Sequence, residues 1–344
     1  MSTSPLVTVI IPTYNRSQWL PVSVESVRNQ TLQDWELLIV DDGSTDDTHA
    51  VVTSRWAADG RIHYVKNSHG RGQCGARNCG IELARGRYIA YLDSDDEWEP
   101  FHLHDMVAYL EDPSVEVDVM TANPLRRRRD TGDVYHYDEL DETAVPHVKR
   151  GNLWLLDPAR LLETALRCRV MTNQTLVGRT ELIRRVLWDE SVHGGTDCLY
   201  MLELAAVRPR VGHLQRYHVT YWAHGDNVTD CAGTHTPARR ARVGEARAEY
   251  YRAALRRVPL SASQRLAMRR KLANNMFWLV GYSGYLAQGD TANARRCFRE
   301  AISLWPSNLR YWKTALWRGV IGPGLPADAN SLASSVGPRK HGTS

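Results

Sequence analysis

The residues best suited to chemistry lie in Leu92-Asp93-Ser94-Asp95-Asp96-Glu97-Trp98, where four of the five positions from Asp93 to Glu97 are acidic. Carboxylates at this density repel one another unless a cation relieves them. Along an extended segment alternate side chains share a side, so Asp93 and Asp95 are expected to point the same way, with Ser94 between them. Two hard oxygen donors on one side suit Mg2+ or Mn2+, ions that also take phosphate oxygens. An Asp-x-Asp by itself is common. Here two other polar clusters stand at comparable places, Thr13-Tyr14-Asn15-Arg16 and Asp41-Asp42-Gly43-Ser44. Each alone is ordinary turn or cap chemistry. That account explains poorly why three occur together with an excess of acid.

The elements that must position these clusters alternate strictly. Val7-Thr8-Val9-Ile10-Ile11-Pro12 is a β-branched run stopped by proline, which predicts a buried strand. Ser17 to Gln30 has helical spacing, Trp35 to Val40 is a second strand, and Thr48 to Ala58 reads as a helix. Ile62 to Val65, Ala76 to Ala84 and Tyr88 to Leu92 continue as strand, helix and strand. This order predicts an α/β, doubly wound, mostly parallel sheet. Ligands of such sheets sit beyond the carboxyl ends of the strands, where all three polar clusters fall.

Gly70-Arg71-Gly72-Gln73-Cys74-Gly75 matches the glycine pattern of dinucleotide sites. The fingerprint belongs after the first strand, however, and there the chain has Pro12-Thr13-Tyr14 and no glycine. A flexible loop that lets backbone approach a bound phosphate or sugar is the better reading.

The 344 residues carry 43 basic and 39 acidic side chains, a balance that argues against a nucleic-acid partner. Arg126-Arg127-Arg128-Arg129 is read as a solvated hairpin or loop, with a phosphate or anionic-surface contact as the alternative. The 6 cysteines form no Cys-x-x-Cys pair, so free thiols in a reducing cytoplasm are expected. Met1 to Pro5 does not begin a secretory signal. The stretch Met276 to Ala287 is too short to span a bilayer, so no transmembrane segment is expected, and the chain is placed in the cytoplasm or at the membrane periphery.

Taken together, Val7 to Arg16, Val40-Asp41-Asp42-Gly43-Ser44, Ala76-Arg77-Asn78-Cys79-Gly80 and Leu92 to Asp96 resemble, in order and spacing, the family 2 glycosyltransferases. The resemblance covers about the first 230 residues. It implies a GT-A fold, a nucleoside-diphosphate sugar donor (UDP-, dTDP- or GDP-linked), a hydroxyl-bearing acceptor, a divalent metal (Mn2+ or Mg2+) and inversion at the anomeric carbon. It further implies that Pro12, Tyr14 and Arg16 line the nucleotide, that Asp42 and Asp41 hold the nucleoside, and that Arg77 approaches the phosphates. Asp95 becomes the main metal ligand, with Asp93 toward the ribose or metal and Ser94 beside the donor.

Gly194-Gly195-Thr196-Asp197 resembles the family's second acidic motif, with Thr196 in place of a Glu, and implies that Asp197 is the general base. Helix-dipole stabilisation is the plainer role for an Asp there. Tyr221-Trp222-Ala223-His224 resembles a late motif and implies that His224 adds an imidazole to the metal or diphosphate. Trp154, Trp188, Tyr200 and Trp222 are candidates to stack on a sugar ring, although with 11 Trp and 3 Phe the chain also uses Trp as its large core residue.

The expected organisation is residues 1–115 for the nucleotide sugar, 116–235 for the acceptor, 236–321 helical and 322–344 a tail without structure. Within the helical part, helices meeting at Gly289-Asp290 resemble a TPR-type pair, a surface for a partner or for self-association. Two rival functions stand beside the transferase. One is a nucleotidyltransferase on a related sheet, which needs a glycine-rich loop after strand one. The other is an inactive sugar- or partner-binding protein.

Overall fold

The computed structural model describes residues 4–137, 139–223 and 236–317. The chain divides into two compact units, residues 1–233 with 257–259, and residues 234–256 with 260–344.

The first unit is built on one mixed sheet. Its elements run β1 (Val7–Thr13), α1 (Leu20–Arg28), β2 (Trp35–Asp41), α2 (Thr48–Trp56), β3 (Ile62–Lys66), α3 (Gln73–Leu83), β4 (Tyr88–Tyr91), β5 (Glu97–Trp98) and α4 (His102–Glu111). They continue as β6 (Val119–Arg128), β7 (Val134–Tyr137), β8 (His147–Arg150), β9 (Leu153–Leu156), α5 (Leu161–Ala165), β10 (Val177–Arg179), α6 (Thr180–Ile183), α7 (Thr196–Ala206) and β11 (Val211–Ala223). The strand order is β3-β2-β1-β4-β10-β6-β11-β9-β8, with β5 on β11 and β7 on β6. β3, β2, β1 and β4 are mutually parallel, as are β6 and β11, and β10 runs antiparallel between β4 and β6.

β1 is central and covered on both faces, which is why it reads as an unbroken apolar run. Val7, Val9 and Ile11 enter one core with Leu20, Val24 and Val27 of α1 and Met106 and Leu110 of α4. Ile10 enters the other core with Ala76 and Cys79 of α3 and Tyr200 and Leu204 of α7. α3 begins at Gln73, earlier than the expected Ala76, because the glycine loop runs straight into it. The β1–β2 register pairs Thr13 with Asp41, which brings two of the polar clusters to the same rim.

The second unit is helical: α8 (Pro237–Arg257), α9 (Ala262–Asn274), a π-helical stretch over Asn275–Tyr285, α10 (Thr291–Leu304) and α11 (Leu309–Trp317). The chain turns at Gly289, whose φ is 79°, and the Asp290 side chain caps α10 by accepting from Asn293 N at 3.0 Å. Phe277 stacks on Phe298 at 4.3 Å and on Tyr311 at 4.4 Å, so α11 shares the core of the hairpin. The unit is thus larger than the helical pair expected. The apolar stretch from Met276 is this core. Among the described residues no helix is long and apolar enough to cross a membrane.

Candidate active site

The three loops at the carboxyl ends of β1, β2 and β4 converge and are laced together by side chains. After β1, Asn15 takes φ 51°, a left-handed conformation that Asn tolerates. Its N–H donates to Ser44 Oγ at 2.9 Å and its Oδ1 accepts from Thr45 N at 2.8 Å, which locks the first loop on the second. Tyr14 is exposed, with the Arg71 guanidinium over its ring at 5.6 Å. Pro12 stays in the buried strand beside Val40.

The adjacent carboxylates after β2 have different tasks. Asp41 is buried, and its Oδ1 accepts from Gly43 N, Ser44 N and Ser44 Oγ at 3.0, 2.8 and 2.7 Å, while Tyr64 OH donates to Oδ2. Its Oδ1 shapes the turn, and its Oδ2 ties the turn to β3. Asp42 accepts from Asn67 Nδ2 at 2.7 Å and from Gly72 N at 2.8 Å, so it holds the glycine loop. Glu190 holds the other end of that loop, accepting from Gly70 N at 2.8 Å and from Asn78 Nδ2 at 2.8 Å. The loop expected to be flexible is therefore tied at both ends. Gly75 is obligatory there, since a Cβ would lie 1.7 Å from Gly70 O.

Asp93 to Asp96 form a turn closed by Asp96 N donating to Asp93 O at 3.1 Å, and not the extended segment expected from the sequence. Ser23 Oγ of α1 anchors this turn by donating to Asp96 O at 2.7 Å. Asp93 receives Arg77 Nη2 at 2.7 Å and Gln174 Nε2 at 3.0 Å, with Asn173 Nδ2 at 3.4 Å from both oxygens. Burial raises its pKa, the charges of Asp95 and Asp197 add to the rise, and Arg77 opposes it. Asp96 is fully buried, and burial followed by the charges of Asp95 and Asp93 raises its pKa well above the usual carboxyl range. Its Oδ1 accepts from Trp222 N at 3.2 Å.

Arg77 is 1% exposed, lies 4.3 Å from the Trp188 ring, and has Gln73 Oε1 at 3.3 Å from Nη1. A guanidinium enclosed in this way is an internal counter-ion to Asp93. Asp197 sits in the first turn of α7, after Gly195 in the left-handed conformation, with Thr196 Oγ1 donating to its Oδ1 at 3.1 Å. Gln73 Nε2 donates to Thr196 Oγ1 at 2.9 Å, and Asp197 is electrostatically coupled to both Arg77 and Asp93. Arg77 is thus paired with the carboxylate that follows β4 and feels the charge of the one that opens α7.

Residues 8–164 match the profile described as Glycosyl transferase family 2. The match runs from β1 into α5 and takes in 157 of the chain's 344 residues. Among similar proteins, the UDP-Glc:alpha-D-GlcNAc-diphosphoundecaprenol beta-1,3-glucosyltransferase WfaP of Escherichia coli is 41% identical over 110 residues, 32% of this chain and 43% of that protein. The putative teichuronic acid biosynthesis glycosyltransferase TuaG of Bacillus subtilis is 42% identical over 106 residues, 31% of this chain and 42% of that protein. The matched stretch spans less than half the length of either relative. Among solved structures, residues 1–349 of S. aureus TarS with UDP-GlcNAc align with a TM-score of 0.58 at 17% identity, over 87% of this chain and 81% of that one. The mannosyltransferase PcManGT of Pyrobaculum calidifontis with GDP-Man and Mn2+ aligns with a TM-score of 0.52 at 19% identity, over 97% and 84%. At these identities the likeness is one of fold.

Among the described residues no group of three or more His, Cys, Asp or Glu side chains is placed to hold a metal. Asp95 nevertheless fits a hard divalent ion. It is partly exposed, and the Arg16 guanidinium stands 3.8 Å off, beyond hydrogen-bonding distance. Beside it Asp96 Oδ2 is buried without a hydrogen-bond partner among the described residues. A single carboxylate suffices where substrate phosphates and water complete the shell. Asp93 is engaged on both oxygens by this chain's own donors, and Ser94 is buried. His224 lies outside the described residues.

Of the aromatic candidates, Trp188 stacks in parallel on Tyr200 at 4.0 Å and Trp154 on His147 at 4.0 Å, all inside the core apart from the half-buried His147. Trp222 is partly exposed at the rim. Sequence reasoning passed over Ser23, Gln174, Glu190 and Arg129 as site residues. Only the arginine run carried any visible signal.

Proposed function

We propose that the protein transfers a sugar from a nucleoside-diphosphate donor to an acceptor hydroxyl, with inversion, and with a divalent metal held by Asp95. The observation that carries this reading is the Asp93–Arg77–Asp197 arrangement next to a partly exposed Asp95. It offers one carboxylate for a metal-bound diphosphate and another for an acceptor.

Tyr14 offers an exposed ring to the base, and Asp42 offers its remaining acceptor capacity to the nucleoside. Arg16 reaches over the acidic turn toward the diphosphate. When bound, the metal supplies Lewis-acid stabilisation of the charge that develops on the departing diphosphate. Asp197 takes the proton of the acceptor hydroxyl. That oxygen bonds to the anomeric carbon as the carbon's bond to the diphosphate oxygen breaks on the opposite face, and the electron pair leaves with the nucleoside diphosphate. Arg77 keeps Asp93 and Asp197 from repelling one another while this happens, so it acts as a positioning residue and not as a ligand.

The similarity to a glucosyltransferase whose name specifies a diphosphoundecaprenol-linked sugar, and to a fold seen with UDP-GlcNAc, supports a glycan or lipid-linked acceptor and a UDP-linked donor. The helical unit is proposed to be a docking element of TPR type. A thermal-shift screen of UDP-, dTDP- and GDP-sugars with and without Mn2+ tests the donor reading, because a ligand of the native state raises the melting temperature by mass action. No shift with any of them, with or without the metal, would sink it.

A further inference from the structure

The arginine run at the end of β6 has no part in the reading above. Arg127 pairs with Trp222 of β11 across the sheet, and Arg129, just past the end of β6, turns its guanidinium to the same Trp222. The Arg129 guanidinium lies 4.5 Å from the Trp19 ring and 5.0 Å from the Trp222 ring, and its Nη2 donates to Asp95 O at 3.0 Å. The run was expected to be solvated, yet this side chain is wedged between two indoles at the rim. The Nε atoms of both Arg127 and Arg129 are buried and find no hydrogen-bond partner among the described residues. A buried cationic donor left unpaired is costly, and an oxyanion would remove that cost. The planar guanidinium fork matches phosphate oxygens in pairs.

The sheet order says which oxyanion. β2 and β1 carry Asp42 and Tyr14, β4 carries the acidic turn, and β6 lies beyond it on the other side of β10. If the nucleoside lies over β1 and β2, as proposed above, its diphosphate ends at the β4 turn. Arg129 meets that turn from the β6 side through Asp95 O, so a phosphate held there stands on the side of the turn away from Tyr14 and Asp42. We propose that Arg127 and Arg129 form a subsite for a phosphate group carried by the acceptor.

The donor's own diphosphate has the same chemistry, so the experiment separates the two sources. The full chain is titrated calorimetrically with inorganic pyrophosphate in EDTA-containing buffer. The titration is run alone and with a saturating amount of whichever of UDP, dTDP or GDP raises the melting temperature most. Pyrophosphate should still bind with the nucleotide in place, and its Kd should rise at least ~tenfold in both Arg127→Gln and Arg129→Gln. Arg129→Gln removes a bond to the acidic turn and can loosen it. Arg127→Gln is therefore the deciding variant, and unchanged nucleotide binding in it reports an intact fold. Competitive displacement by the nucleotide would assign the phosphate to the donor and overturn the proposal, as would equal pyrophosphate affinity in wild type and both variants. A chain that binds none of the three nucleotides sinks the donor reading alone, because the comparison of wild type with variants still reads the subsite.

Discussion

Arg77 Nη2 lies 2.7 Å from Asp93 Oδ1, inside the protein, with its guanidinium face on Trp188. This contact answers the crowding of carboxylates after β4. The chain sets three arginines from three separate elements against them: Arg16 after β1, Arg77 in α3 and Arg129 at the end of β6. Asp93 is neutralised by Arg77, and Asp95 stands between the Arg16 guanidinium and the Arg129 side chain that donates to its carbonyl.

Arg77→Ala should destabilise the fold strongly. It strands the Asp93 carboxylate among buried groups and empties the face of Trp188. Removing one partner of a fully buried pair costs about 3 to 5 kcal/mol, and because the Asp93 side chain is 25% exposed the loss should fall at or below about 3 kcal/mol. Urea unfolding at neutral pH reads this directly, and a loss below about 1 kcal/mol would mean that Asp93 finds another counter-charge.

Asp197→Asn keeps the size of the side chain and the first turn of α7 but cannot take a proton. Turnover should fall about 10²- to 10⁴-fold, the usual contribution of a positioned general base, with donor binding unchanged. Equal turnover in wild type and variant, measured by release of the nucleoside diphosphate, would move the base elsewhere.

Asp95→Ala should abolish the part of nucleotide-sugar affinity that depends on Mn2+. The affinity left in the variant should match that of the wild type in EDTA. If chelation weakens binding to Asp95→Ala as much as to wild type, the metal is held by other residues.

His69 supplies a pH dependence. Its Nε2 lies 2.8 Å from Glu82 Oε2 and its Nδ1 3.1 Å from Glu190 Oε1, so it links α3 to the segment that leads into α7. The hydrogen bond to Glu82 raises its pKa, Glu190 adds to the rise, and slight burial opposes it. A group whose pKa is raised on folding stabilises the native state fully below its unfolded value, and that stabilisation fades as pH climbs through the folded value. Wild type should therefore exceed His69→Gln in stability most clearly at about pH 5.5 to 6, near the unperturbed histidine pKa, and the gap should close by about pH 9. Melts of both proteins across that range would expose a gap that stays constant, which would show that His69 acts only by packing.

Gly75→Ala should disrupt the tied loop, because the added Cβ would sit 1.7 Å from the carbonyl oxygen of Gly70. Loss of donor binding together with a lower melting temperature is expected. Gly60, where an added Cβ would meet nothing within 4 Å, is the control and should tolerate Ala.

Much of the rim was legible in the chain itself. Apolar runs of strand length, each followed by a polar cluster, required a parallel sheet with those clusters at one edge, since hydrophobic periodicity is set by neighbours along the chain. The Thr13–Asp41 pairing follows from this pattern. Local sequence was equally sufficient for the turn at Gly289-Asp290, where one residue tolerates positive φ and the next caps a helix. What each carboxylate is tied to was decided only by tertiary structure. Asp93 is saturated by Gln174, 81 positions away, Asp96 is covered by Trp222, and the glycine loop is tied down by Glu190, 120 positions from Gly70. The arginines after Leu125 looked like a solvated surface because nothing near them in sequence shows that Trp19 and Trp222 close around Arg129. Charge and type are properties of a residue, but burial and partnership belong to the folded chain, and these determine whether a carboxylate is a ligand, a turn or a buried acid.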